Sequence, residues 1–234
     1  MNILKGFWRW LLIAVTALVA FALLYEGWIF GHILWWKTYN PQSTAFMASR
    51  LDGLRQKNPK AALNHQWVDY GKVSMHLKRA LIVSEDDTFV DHEGFNWDAM
   101  NKAREKNQKK GRVVAGGSTI SQQLSKNLFL SGSRSMLRKV QEAIITVMLE
   151  AVMDKQRIFE IYLNVIEWGE GVFGAEAAAQ HYYGIPAAQL SAQQAARLAA
   201  IVPRPRFYDR NRNAPWMLKK TETILARMPR AEVP

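Results

Sequence analysis

The sequence predicts a mainly α protein, with one membrane-crossing helix ahead of a single helical domain of about 160–190 residues. Three observations point there. Residues 10–25 (WLLIAVTALVAFALLY) carry no charge. Beyond residue 73, apolar residues recur at helical spacing through most of the chain. Strand signals are scarce. The 234 residues leave room for one sizeable domain plus an appendage.

With Phe7 and Trp8 before it and Trp28, Ile29 and Phe30 after it, the apolar stretch is long enough to span a hydrocarbon core of roughly 30 Å. Lys5 and Arg9 precede it, which by the positive-inside rule keeps the amino terminus cytoplasmic and the rest outside. Trp8 and Trp10 at one end and Trp28, Trp35 and Trp36 at the other suit the two interfacial belts. A cleaved signal peptide is the competing reading, with Ala20-Phe21-Ala22 as its cleavage site, but the apolar run continues past that point. The organisation expected is residues 1–36 as tip and transmembrane helix, 37–70 as a connector near the membrane, and 71–234 as the functional domain.

Lys and Arg number 31 against 20 Asp and Glu, a formal charge of +11. Such a balance suits anionic partners: nucleic acid, anionic head groups or phosphorylated substrates. The absence of cysteine excludes disulfides, thiol catalysis and thiolate zinc sites.

Within the domain, Leu77, Ala80, Leu81 and Ser84 set a helix that ends near Glu85-Asp86. Asn96 caps a short helix to about residue 106. Residues 102–112 (KAREKNQKKGR) hold six basic residues against one Glu and read as a mobile basic loop before Gly116-Gly117. The stripe Val140, Ala143, Ile144, Val147, Met148, Ala151 and Val152, with Ile145, Leu149 and Met153 opposite, reads as a core helix apolar nearly all round. Further helices follow at 158–166, 175–180 and 191–201.

Four clusters could carry chemistry. Glu85, Asp86, Phe89, Asp91, His92 and Gly94 place a carboxylate at a helix carboxyl end, where the macrodipole disfavours its charge and favours its acting as a base. The competing reading is a solvated acidic turn. Residues 116–127 (GGSTISQQLSKN) set two glycines and hydroxyls at a helix start, a geometry that offers backbone N–H groups to an anion, although no P-loop spacing is present. The competing reading is an ordinary capped helix. Arg134, Arg138, Lys139 and Glu142 could hold a phosphate around one ionised carboxylate, or form a surface ion pair. Residues 155–174 read as packing.

Taken together, these clusters resemble the glycosyltransferase family that polymerises peptidoglycan, shared by monofunctional enzymes and class A penicillin-binding proteins. EDDTFVDHEGF, GGSTISQQLSKN, RKVQEAIITVMLE, KQRIFEIYLNVIEWGEGVFG and LAAIVPRPRFYDRNRN resemble its five motifs in order, across residues 72–227. Ser121 and Ser125 stand where Thr and Ala are usual. No room remains for a transpeptidase domain, so the monofunctional branch is expected.

The resemblance implies a mainly α, lysozyme-like fold with a small membrane-associated jaw. It implies lipid II and the growing glycan strand as substrates, the bilayer and cell-wall synthesis or division proteins as partners, no nucleic acid, and a bacterial inner-membrane location with the domain periplasmic. By matching positions, Glu85 would be the general base and Glu142 would assist. Lys126, Arg134, Arg138 and Lys139 would bind the donor diphosphate, while Ser118, Gln123, Asn127, Asp86, Phe89 and His92 would line the cleft. No protein metal site or obligatory cofactor is implied, although a divalent cation (Mg or Mn) could assist the diphosphate. The rival readings are a membrane-anchored lysozyme-like enzyme that cleaves peptidoglycan and a non-catalytic lipid-binding adaptor.

Overall fold

The computed structural model describes residues 2–130 and 135–234, which divide into two compact units. The first unit, ending at Tyr39, is one long helix, α1 (Asn2–Trp36). Its segment Gly6–Trp36 is long and apolar enough to cross a membrane, and an 18-residue window within it has mean hydropathy 2.1.

The second unit runs from Asn40 to Pro234. Its elements are α2 (Ala45–Arg55), β1 (Asn64–His65), α3 (Met75–Glu85), α4 (Trp97–Lys110), α5 (Ile120–Phe129), α6 (Met136–Val152), α7 (Lys155–Val165), β2 (Glu167–Gly169), β3 (Val172–Phe173), α8 (Ala175–Tyr183), α9 (Ala192–Ile201), α10 (Pro205–Arg210) and α11 (Pro215–Arg227). The small sheet has the order β1-β3-β2, with β1 parallel and β2 antiparallel to β3.

Local chemistry sets the helix starts. Ser74, Asn96, Thr119, Ser135, Asp154 and Ser191 each cap a helix with a side-chain oxygen. Thr119 and Ser191 are the first members of full capping boxes with Gln122 and Gln194. A cap contributes about 1 kcal/mol, whereas each large apolar side chain buried contributes about 1.5–3 kcal/mol. Packing therefore decides the architecture. Helix α7 is its centre, with Ile158, Phe159, Ile161, Tyr162, Leu163 and Val165 all fully buried. Helix α5 packs on α6 and α7, while α3 packs on α9 and α11.

Three expectations need correction. The segment expected as a connector is built into the second unit. Asn164 accepts from the Val68 amide at 2.8 Å and donates to its carbonyl at 2.9 Å, and Asn64 and His65 pair with β3. The basic stretch expected as a loop is the body of α4. Only Ala103 among its residues is buried, so the helix rests on its ends: the Asn96 cap, Lys109 and Lys110 against the carboxyl-terminal dipole, and Gly111 in the left-handed region at φ 60°.

The third correction concerns α6. The helix buried over most of its surface is α7, from Ile158 onward. On α6 the buried side holds Glu142, Ile145, Thr146 and Leu149, while Leu137, Val140 and Val147 are 83%, 57% and 56% exposed. The stripe expected to face the core is an open apolar surface. A period of 3.6 locates an apolar face without saying which apolar medium it meets.

Gly174, the residue before α8, has φ 84° and ψ 155°. A Cβ there would lie 2.8 Å from the Asn164 carbonyl oxygen. Gly174→Ala is expected to cost about 1–3 kcal/mol, read in urea as a lower unfolding midpoint at unchanged slope.

Candidate active site

Glu85 is the last residue of α3, held there because Leu77, Ala80 and Leu81 bury the preceding turns. Its carboxylate is mostly enclosed, at 10% exposure. Oε1 accepts from Ser84 Oγ at 2.9 Å, Oε2 accepts from Gln123 Nε2 at 3.2 Å, and Lys220 Nζ stands 3.7 Å from Oε1. Behind Gln123, the Tyr162 hydroxyl donates to Gln123 Oε1 at 3.0 Å. Burial, then the charges of Glu85 and Asp86, push the Tyr162 phenol well above its ordinary range. It therefore stays a donor, which turns the Gln123 amide so that its N–H meets Glu85.

Asp86 faces the other way. It is 7% exposed and accepts from the Ile120 amide at 3.0 Å and from His92 Nε2 at 3.0 and 3.1 Å. The start of α5, expected to offer its N–H groups to an external anion, thus has the protein's own carboxylate on it. Phe89 is fully buried against Phe159, and Lys155 lies over its ring. Phe89 and His92 accordingly form part of the support beneath Glu85, while Asp86, which ties His92 to the start of α5, also lines the cavity at Glu85. Ser118 is exposed and lines, with Glu85, a cavity of about 190 Å3.

One turn along α5 from Gln123 comes Lys126, on the same face. It lies in a cationic group with Arg138 and Lys139, and Asn127 donates to the Gln123 carbonyl at 2.7 Å beside it. Glu142, 3% exposed, accepts from Arg138 Nη1 at 2.8 Å and from Lys139 Nζ. Both of its oxygens are engaged, which suits a fixed counter-charge better than a proton acceptor. Burial pushes the Lys126 ammonium down; Arg138, Lys139 and Arg50 add to that, against the pull of Glu142. An ammonium in that state gains from any anion placed beside it. Arg134 lies outside the described residues. A donor set of ammonium and guanidinium groups does not fit a resident divalent cation.

Sequence reasoning missed Lys220, Arg50 and Glu167. Lys220 had a local signal: it sits on α11 three residues from Met217 and four from Ile224, both buried, so a lysine stands on an apolar face. Burial pushes its ammonium down, against the pull of Glu85. Arg50, on α2, pairs through Nε with Glu167 Oε2 at 3.1 Å.

The family model described as Transglycosylase matches residues 52–229. The chain belongs to the transglycosylase family. It is 61% identical over 228 residues to the biosynthetic peptidoglycan transglycosylase of Methylobacillus flagellatus, covering 97% of this chain and 98% of that one. It is 62% identical over 226 residues to that of Dechloromonas aromatica, covering 97% and 98%. To that of a Janthinobacterium strain it is 59% identical over 234 residues, the whole of both. The transglycosylase region thus contains Glu85, the Lys126 group and Lys220, while Arg50 precedes it.

Asp86→Ala separates support from substrate contact. Removing its carboxylate strands the Ile120 amide and the His92 ring, with an expected cost of about 1–3 kcal/mol in a denaturant titration. A residue that only touched substrate would leave that titration unmoved.

Proposed function

We propose that the chain polymerises peptidoglycan, moving a growing glycan strand from undecaprenyl diphosphate to the 4-hydroxyl of the N-acetylglucosamine of lipid II. Peptidoglycan transglycosylation is the activity of the relatives, by their names. The observation that carries the reading is the α5 face on which Gln123, bound to Glu85, and Lys126, among its cations, stand one turn apart.

The steps follow from that face. Glu85 takes the proton of the 4-hydroxyl as its oxygen bonds the donor anomeric carbon. The bond from that carbon to the diphosphate breaks, and its electron pair leaves on a group that Lys126, Arg138 and Lys139 stabilise. Attack opposite an α-diphosphate inverts the centre to a β-1,4 link. A cleaving, lysozyme-like enzyme needs a second working carboxylate. Glu142, bound by two cations, does not supply it.

A bilayer partner is supported twice: by the apolar span Gly6–Trp36 and by the exposed stripe on α6. Lys5 and Arg9 favour a cytoplasmic amino terminus and a periplasmic domain. The stripe is the candidate for the membrane-associated jaw.

The test is lipid II consumption by the full chain in detergent, with products resolved by size. Wild type is expected to give a glycan ladder, and Glu85→Gln to be slower by about 10²–10⁴-fold with its fold intact. No ladder from wild type overturns the reading. The pH–rate profile is a second test. Because Lys126 loses its proton at lower pH than an ordinary lysine, activity should fall early on the alkaline side. Lys126→Arg, which keeps its charge, should move that limb upward.

A further inference from the structure

A cavity of about 650 Å3 opens beside Lys126 and Arg138. Arg50, Arg204 and Arg206 add three guanidinium groups to its wall, against one carboxylate, Glu167. Glu167 is the unusual member. Its side chain is 4% exposed; Oε2 is bound by Arg50, while Arg206 Nε comes no closer to Oε1 than 4.0 Å. Among the described residues, Glu167 Oε1 is buried without a hydrogen-bond partner, and so is Arg138 Nε on the same cavity.

A buried polar atom left unpaired costs about 1–3 kcal/mol, and native structures keep few of them. Here two orphans of opposite kind, one acceptor and one donor, belong to residues that line one cavity. They define a complementary ligand: an oxygen for Arg138 Nε, and an N–H or O–H for Glu167 Oε1. A smaller cavity of about 180 Å3, lined by Gln123, Lys126, Arg50 and Glu167, joins this region to the amide that holds Glu85. A sugar linked to a diphosphate on Lys126 and reacting near Glu85 has to lie along that path.

We propose that Glu167, held by Arg50, is a binding residue that selects the donor sugar through a hydrogen-bond-donating substituent next to the diphosphate, its acetamido N–H or a ring hydroxyl. The inference rests on the reading of the Lys126 group as the diphosphate site. Arg50 orients the carboxylate through Oε2 and leaves Oε1 to the sugar. Burial pushes the Glu167 carboxyl up against the pull of Arg50 and Arg206, as expected of a carboxylate short of donors. Phe46 and Phe207 give the same cavity two aromatic walls suited to a sugar's apolar face.

The test measures dissociation constants of the full chain in detergent for three probes: farnesyl diphosphate, and farnesyl diphosphate bearing glucose or N-acetylglucosamine. Wild type should bind the N-acetylglucosamine probe more tightly than bare farnesyl diphosphate. Glu167→Gln should lose about tenfold or more on that probe and nothing on farnesyl diphosphate. Glu167→Asp keeps the charge but withdraws the carboxylate by one methylene. It should show the same selective loss at an unchanged melting temperature, which separates binding from misfolding. Loss confined to the N-acetylglucosamine probe supports the inference and assigns the acetamido N–H; equal loss on the glucose probe supports it and assigns a hydroxyl. If Lys126→Ala weakens all three probes while both Glu167 variants are silent, this inference fails and the diphosphate reading stands. If wild type binds none of them, both fall together.

Discussion

The Asp86 carboxylate is the fixed point of the site. It stands between the end of α3 and the start of α5 and accepts from the first amide of one helix and from the His92 ring. Those bonds join two helices that carry different halves of the proposed chemistry: Glu85 on α3, and Gln123 and Lys126 on α5. Because Asp86 is nearly buried, its bonds are worth more than they would be in water. The chain Tyr162–Gln123–Glu85 then turns a general position into a specific orientation. A base of this kind gains its rate from being held within a few tenths of an ångström of its working position.

The electrostatics divide along α5. At one end the Glu85 carboxylate meets Lys220 and the Gln123 amide, with Asp86 and Asp87 on the same cavity. Around Lys126, among the described residues, Arg138, Lys139 and Arg50 add to its charge against the counter-charges Glu142 and Glu167. A folded protein does not collect unneutralised cations at no cost, and burial lowers the affinity of Lys126 for its own proton. The stability given up there is recovered when an anion arrives. The same logic applies to the orphaned Glu167 oxygen, which is more expensive in the free protein than in a complex that pairs it.

Much of the fold was legible because the relevant information is local. Asn96 and Ser191 announce helix starts, and Leu77, Ala80 and Leu81 place Glu85 at a helix end. What local pattern could not supply was the partner of each surface. The α6 stripe has the period of a buried face yet is open, whereas α7, read only as packing, is the true centre. The basic run in α4 lacks an apolar period because most of its faces meet solvent, and its helix is held by its caps. At the site, Glu85, Gln123 and Lys126 could be read from ordered motifs. Arg50, Glu167 and Lys220 come from segments distant in sequence, and only folding brings Arg50 and Glu167 to one cavity and Lys220 to Glu85.

The two faces of α6 carry opposite duties on one rigid rod. Arg138, Lys139 and Glu142 sit near its amino-terminal end, and Leu137, Val140 and Val147 run along its open side. Solvent exposure is usually taken as licence to vary, since most surface substitutions are nearly neutral. On this helix that equation breaks. Polar replacements along the stripe leave the interior untouched but erase the greasy edge, so tolerance to mutation there would follow the demands of the surroundings and not those of the core. A map of permitted residues at these positions would thus read as a record of the medium in which the protein works.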